Sequence, residues 1–233
     1  MAALTLSVVT SHAQLTLNFS SSPGGSTIQF NGAASSFQFN PATTALIIPF
    51  TPPVTYYIGS QWTISSVIGG TGSALNLLGV VTNGPFSYGP ITTVNAGSHI
   101  DETANVTGPL GALIISDNVG NFLTGNVDWI QVATHDFGGA INAGLTVNVT
   151  GLAYAGTNPD LVTLVASDPA SMDLTFQFSP GKTLSQLTSG VVPYNTSFSG
   201  SISVVPEPMS AGVLLLGFGV LVCSWRLSQG RRV

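Results

Sequence analysis

The chain has 233 residues, and 6% of them are charged, against about 25% in an ordinary soluble domain. Hydrophobic residues make up 44%, so Ser, Thr, Gly, Asn and Pro stand where the missing charges would be. This composition excludes most helical cytosolic enzymes and coiled coils, because exposed helix faces need Glu, Lys and Arg. It also excludes ordinary nucleic-acid binding, since the four basic side chains are too few to neutralise a phosphate backbone.

The N-terminal segment has some features of a secretory signal. A short apolar stretch, 2–10, is followed by Ser11-His12-Ala13, which resembles a small-x-Ala cleavage site. A signal peptide normally begins with basic residues, and none is present here. We interpret residues 1–13 as a truncated signal peptide, with a short first strand as the alternative.

The body, residues 14–203, alternates apolar and polar side chains over short segments. Leu15, Leu17 and Phe19 show this pattern, as do the segments 37–39, 145–149 and 174–178. Turn signals rich in Gly, Pro and Asn separate these segments, and the apolar run 161–167 is interpreted as a further strand. About a dozen strands exceed what an immunoglobulin-type domain uses, so the pattern predicts an all-β, antiparallel two-sheet sandwich of the jelly-roll type.

Two histidines of the body lie beside acidic residues. Asp101 and Glu102 follow His99, and Asp136 follows His135. A nucleophilic triad would add a Ser, but the chain has no Gly-x-Ser-x-Gly turn, and adjacent strand residues point to opposite faces. We therefore expect these to be surface or loop histidines and expect no catalytic residue.

The acidic residues of the body suggest two further kinds of site. A glycosidase needs a pair of carboxylates, but no spacing selects one, and we interpret these acids as loop and turn residues. Segments 117–121 and 168–173 could supply calcium ligands, although neither fits the Asp-x-Asp-x-Asp-Gly loop. We expect no metal or other cofactor, with calcium as the alternative. The acids considered for a glycosidase pair are Asp128, Asp136, Asp160, Asp168 and Asp173.

Aromatic residues of the body could form a sugar-stacking face. The other interpretation, which we favour, is that they belong to the core and its rim. The residues are Trp62, Trp129, Tyr56, Tyr57 and Tyr154.

Residues 209–225 are mostly apolar and carry no charge. A helix of this length spans about 25 Å, close to the roughly 30 Å of a bilayer core. Arg226, Arg231 and Arg232 follow, and basic residues stay on the cytoplasmic side. The pattern predicts one C-terminal transmembrane helix with the body outside; a buried core helix is the alternative.

The segment Val205-Pro206-Glu207-Pro208 comes directly before this apolar run. Val-Pro-Glu-Pro, an apolar helix and a basic tail, in this order over 205–233, resemble the PEP-CTERM sorting signal of exported bacterial proteins. The resemblance implies processing by an exosortase, a membrane-embedded cysteine protease that recognises the Pro-Glu-Pro region. It also implies a bacterium with an outer membrane and an exopolysaccharide system. Independently, the two prolines favour an extended segment that presents Glu207 to a protease.

These observations divide the chain into a truncated signal peptide (1–13), a β-sandwich (14–203) and a sorting tail (204–233). We expect an exported, non-enzymatic surface or matrix protein, structural or adhesive in exopolysaccharide or biofilm. Its precursor is expected in the inner membrane with the body in the periplasm. Expected partners are the exosortase, the membrane through residues 209–225, and exopolysaccharide as a candidate, but no nucleic acid. The alternatives are a carbohydrate-active enzyme with the same tail and a permanently anchored single-span protein.

Overall fold

The structure, a computed structural model, describes residues 14–21, 26–40, 45–46, 57–58, 60–82, 84–96, 99–137 and 140–204. The predicted signal peptide, the sorting motif, the apolar run 209–225 and the arginines after it lie outside these residues. No helix in the described ranges is long and apolar enough to cross a membrane.

The described residues form sixteen β-strands, two α-helices and a 3₁₀ turn. The helices are α1 (Pro159–Ala166) and α2 (Leu184–Ser189), and the turn is Gly32–Ala34. The strands are β1 (Thr16–Ser21), β2 (Thr27–Asn31), β3 (Ser36–Asn40), β4 (Ala45–Leu46), β5 (Tyr57–Ile58), β6 (Ser60–Ile68), β7 (Leu78–Val81), β8 (Phe86–Tyr88), β9 (Thr92–Ala96), β10 (His99–Thr107), β11 (Gly111–Ser116), β12 (Phe122–Phe137), β13 (Ala140–Ala153), β14 (Ala170–Phe176), β15 (Tyr194–Thr196) and β16 (Phe198–Val204).

Eight strands close into a barrel in the order β11, β7, β6, β1, β16, β14, β13, β12, with every neighbouring pair antiparallel. β11 completes the ring, because Leu113 pairs with Val81 of β7 on one side and with Gly125 of β12 on the other. The all-β prediction is right, but the two-sheet sandwich is wrong. Alternating burial does not separate the two architectures, since each buries one face of every strand.

A second sheet extends the barrel. β12 pairs with β11 over residues 122–127 and then with β10 over residues 131–135. From β10 the pairing continues through β8, β3 and β2 to β15, and β9 also pairs with β10. Aromatic side chains join this sheet to the barrel: the ring centroids of Phe39 and Trp129 lie 5.2 Å apart, and those of Phe30 and Phe176 lie 5.3 Å apart.

The inward positions of the barrel carry the apolar residues that the alternation predicted. Leu15, Leu17 and Phe19 are buried on and beside β1, as are Leu145, Val147 and Val149 on β13. Burial of these side chains supplies the main favourable term for folding. The opposite positions on the same strands are polar and face outward, which leaves a surface made largely of Ser, Thr and Asn.

Helix α1 occupies the segment for which a strand was predicted at 161–167. The Asn158 side chain accepts from the backbone nitrogens of Asp160 and Leu161, and Pro159 takes the first helical position. Asn at the N-cap followed by Pro is a strong helix start. The strand prediction is therefore wrong, because Asn158-Pro159 begins a helix here and does not merely form a turn.

One end of the barrel carries both α1 and the exit of the chain. We call it the α1 end and define it as residues 68–77, 117–121 and 154–169. Thr16 of β1 lies opposite Ser203 of β16, and the Val204 nitrogen donates to the Leu15 carbonyl at 3.1 Å. The chain therefore continues into residue 205 from the α1 end.

Candidate functional site

A groove crosses the outer surface of the barrel over β1, β16 and β14. It consists of two adjoining depressions of about 490 and 390 Å³, which share Ser20, Thr175 and Ser199. Nine of its fifteen described lining residues carry hydroxyl or amide side chains, so we call it the hydroxyl groove; Phe19, Ala143, Phe176, Phe198 and Gly200 also line it. Its described polar side chains are Asn18, Ser20, Ser21, Ser65, Asp173, Thr175, Gln177, Ser197, Ser199 and Ser201.

The groove follows from strand alternation and register. Ser20, Ser199 and Thr175 align across β1, β16 and β14, and Asn18, Ser201 and Asp173 form the neighbouring row. Neighbouring strands lie about 4.8 Å apart, and alternate residues of a strand lie about 6.8 Å apart. The surface is therefore a lattice of hydroxyl, amide and carboxylate groups with regular spacing.

Hydrogen bonds within the groove fix part of this lattice. The hydroxyls of Thr175 and Ser199 lie 3.1 Å apart, and the Ser65 hydroxyl donates to the Asn18 carbonyl at 3.2 Å. A hydroxyl has one donor and two acceptor positions, so one hydrogen bond leaves it able to make another. The groove can therefore exchange hydrogen bonds with a ligand that is itself rich in hydroxyl groups.

The groove is nearly neutral. Asp173 is the only carboxylate, and no Lys or Arg occurs, among its described lining residues. Glycoside hydrolysis uses two carboxyl groups about 5–10 Å apart. The described lining of the groove offers one, Asp173.

The structure brings the predicted histidines near acidic residues at the start of β10. His135 Nδ1 lies 3.2 Å from Asp101 Oδ1 across the β10–β12 pair, and His99 Nδ1 lies 2.8 Å from the backbone oxygen of Asp136. The His135–Asp101 pair is partly exposed to solvent. This arrangement fits the interpretation as surface histidines.

Glu102 has a structural position instead. Its side chain is buried and accepts hydrogen bonds of 2.7 Å from both the backbone nitrogen and the hydroxyl of Ser185. Ser185 belongs to the first turn of α2, so Glu102 fixes this helix to β10. The Ser185 hydroxyl therefore donates its hydrogen bond to the Glu102 carboxylate and not to a histidine.

Asp117, the first candidate calcium ligand, is occupied by protein donors. Its Oδ1 accepts from the backbone nitrogens of Val119 and Asn121, and its Oδ2 accepts from the Asn121 amide and the Tyr154 hydroxyl, all at 2.8–2.9 Å. Burial acts to raise the pKa of this carboxyl, but the four hydrogen bonds outweigh it and lower the pKa below its ordinary value. Calcium would have to displace these donors.

The second calcium segment does not gather its acids. Asp168 Oδ2 accepts from the Gly151 nitrogen at 3.1 Å, whereas Asp173 projects from the outer face of β14 into the hydroxyl groove. Within the described ranges, no three His, Cys, Asp or Glu side chains form a group that could hold a metal ion.

Asp160 joins α1 to the β6–β7 connection, a role that the sequence did not indicate. Its Oδ1 accepts from the nitrogen and hydroxyl of Thr71 at 2.6 and 3.0 Å, and its Oδ2 accepts from the Ala74 nitrogen at 2.9 Å. Burial acts to raise the pKa of Asp160, but these hydrogen bonds lower it overall. The sequence alone does not reveal this role, because it depends on a contact with Thr71, 89 residues earlier, that forms only in the folded chain.

The aromatic residues considered for sugar stacking lie in the core where they are described. Trp62 packs on Phe19 with ring centroids 4.5 Å apart, and Trp129 is buried. Tyr154 is partly buried and uses its hydroxyl on Asp117. Tyr56 and the side chain of Tyr57 lie outside the described part.

No protein-family model, curated protein or solved structure matches this chain. The resemblance to the PEP-CTERM signal therefore rests on residues 205–233 of the sequence alone.

Proposed function

We propose that the chain is an exported, non-enzymatic surface or matrix protein that an exosortase sorts, and that its barrel binds neutral polysaccharide in the hydroxyl groove. The hydroxyl groove is the observation that supports the proposed role of the barrel. The sorting step is proposed from the ordered motif, apolar run and basic tail of residues 205–233. In this proposal the precursor resides in the inner membrane, and the processed protein reaches the cell surface or matrix.

The chemistry of the groove favours a neutral polymer of sugars as its ligand. Sugar hydroxyls both donate and accept, and Ser, Thr, Asn and Gln side chains complement them in both directions. A polymer can contact successive rows of the lattice, so weak single contacts add up along its length. The near absence of charge gives an anionic polymer no cationic partner in the described lining.

The position of the chain exit supports the sorting part of the proposal. Val204 is bonded into the barrel through Leu15 and Gln14, the latter by a 2.8 Å hydrogen bond, and Val205 of the motif is the next residue. A protease can therefore bind the motif while the barrel stays folded. The sorting step needs no unfolding of β16.

Intact-mass measurement of the mature protein from its native host tests the sorting step. We expect the wild type to lose the residues that follow the Pro-Glu-Pro region, and Glu207→Ala to retain them. Asp128→Ala, at an exposed acid of β12, is the matched control and should be processed like the wild type. A mature wild-type protein that extends to Val233 would contradict sorting and favour a permanent anchor.

Co-sedimentation with exopolysaccharide purified from the native host tests the groove. Ser199→Arg places a long side chain where the two depressions meet and should reduce the bound fraction at least fivefold. Ser87→Arg makes the same change at an exposed position of β8 and should bind like the wild type. Equal binding by both variants would contradict the groove as the site, and release of reducing ends would favour the carbohydrate-active enzyme.

A further inference from the structure

Four large aliphatic side chains are exposed at the α1 end of the barrel. Ile68, at the end of β6, is 58% exposed; Leu75 is 45%, Val119 is 70% and Val162 is 47% exposed. Other exposed aliphatic residues, Val192 at 71% among them, lie elsewhere on the body. Those at the α1 end are distinguished by their place beside the chain exit.

The surface that carries these side chains is held in place by hydrogen bonds. Asp160 joins α1 to the connection that contains Leu75. Asp117 bonds the Val119 nitrogen and, through the Tyr154 hydroxyl, the segment before α1. The apolar side chains therefore project from fixed backbone, and presenting them to a partner costs little ordering entropy.

Chain length restricts where this end can lie. From Val204 to Met209, the first residue of the apolar run, there are five residue steps, which span at most about 18 Å. A globular body of this size has a radius of gyration of about 16 Å, hence a diameter of roughly 40 Å. The headgroup layer alone takes about 5–8 Å of the span. If residues 209–225 enter a bilayer, the chain can reach it only with the α1 end close to the membrane.

We infer that, in the unprocessed protein, the α1 end rests on the lipid bilayer, with Ile68, Leu75, Val119 and Val162 at the boundary of headgroups and acyl chains. This inference rests on the proposed function, because it requires residues 209–225 to be in the membrane. The α1 end contains no Lys or Arg and has one exposed carboxylate, Asp168, so it offers no charge that would attract anionic lipid.

Fluorescence quenching on the full chain tests this contact. In a Cys223→Ser background, Val162→Cys or Val119→Cys carries an environment-sensitive fluorophore. Val192→Cys, at a position as exposed as Val119 and between α2 and β15, is the control. The chains are reconstituted in phosphatidylcholine vesicles that contain headgroup-spin-labelled lipid. We expect at least twofold quenching at positions 162 and 119, little at position 192, and the same result when phosphatidylglycerol is added.

Vesicle flotation, measured on the same samples, separates the two levels of the proposal. Chains that float without quenching at positions 162 and 119 would overturn the docking inference and leave the membrane segment standing. Chains that do not float would overturn both. Shielding of the position 162 probe from iodide without vesicles would also overturn the inference, because residues 209–225 or a second copy would then cover this end. Light scattering, which measures the molecular mass in solution, distinguishes a second copy from residues 209–225 as the cover.

Discussion

Asp160 Oδ1 accepts a 2.6 Å hydrogen bond from the backbone nitrogen of Thr71, a residue 89 positions earlier in the chain. The same carboxylate also bonds the Ala74 nitrogen, so one side chain provides acceptors for two backbone donors of the β6–β7 connection. Asp160 is 1% exposed and its bond to Ala74 is buried, so the Ala74 nitrogen has no water to replace the carboxylate, whereas Thr71 is exposed.

Asp160→Ala is therefore expected to destabilise the barrel by about 2–4 kcal/mol, since it leaves the buried Ala74 nitrogen unpaired and removes hydrogen bonds to a charged acceptor. Urea unfolding followed by tryptophan fluorescence measures the change. Asp128→Ala, at an exposed position, should stay within about 0.5 kcal/mol of the wild type. Equal effects from the two substitutions would show that the Asp160 contacts contribute little.

Stability is also expected to fall in acid. Hydrogen bonds lower the pKa of both Asp117 and Asp160 in the folded state, whereas an unfolded Asp titrates near about 3.9. The unfolded chain therefore binds protons first, so this contribution is complete above about pH 5 and is lost as pH falls through 3.9 toward the folded pKa values. Urea midpoints between pH 7 and pH 2 measure it.

The double variant D117N/D160N provides the comparison for this pH series. It removes both titrating groups and should show a lower midpoint at pH 7 and a flatter slope below pH 5. A slope as steep as that of the wild type would assign the acid sensitivity to other carboxylates.

A side chain at Gly79 is expected to destabilise the barrel. It lies opposite Trp62 in the β6–β7 pair, and a Cβ there would overlap the six-membered ring of the indole. Gly79→Ala should therefore cost about 1–3 kcal/mol through overpacking and shift the tryptophan emission. Gly89→Ala is the control, because its Cβ would lie an ordinary 3.7 Å from the Asn105 carbonyl. A stable Gly79→Ala with unchanged emission would contradict this packing.

Glu102 should contribute to the stability of α2. Glu102→Ala removes both 2.7 Å hydrogen bonds to Ser185 and should cost about 2–4 kcal/mol. Glu102→Gln keeps an acceptor and should recover about half of the loss. Hydrogen exchange of the α2 amides is the measurement, and unchanged protection in Glu102→Ala would show that this carboxylate does not hold the helix.

The sequence predicted which strand faces are buried but not how the strands pair. Alternation identified Leu15, Leu17 and Phe19 as inward residues because the period of a strand is fixed by local geometry. Closure depends on Leu113 meeting both Val81 and Gly125, a long-range register that no local pattern encodes. A sandwich was therefore predicted where the chain forms a barrel.

The hydroxyl groove could not be predicted from the sequence for the same reason. Asn18, Thr175 and their polar neighbours are outward by alternation, yet only the β1–β16–β14 order brings them together. The start of α1 at Asn158-Pro159 was available in the sequence, since this pair is a helix signal as well as a turn signal. The buried carboxylate of Asp160 became intelligible only with Thr71 beside it.

The exit of the chain through β16 has a mechanical consequence. This strand lies between β1 and β14 and pairs along its length with both. If the hydroxyl groove grips a polymer while the tail is fixed to a surface, the load runs parallel to β16. Tension in that direction shears both hydrogen-bonded ladders at once, whereas a pull across the strand would open them one pair at a time. The barrel should therefore resist a force applied along β16 through the C-terminal tail better than one applied across this strand.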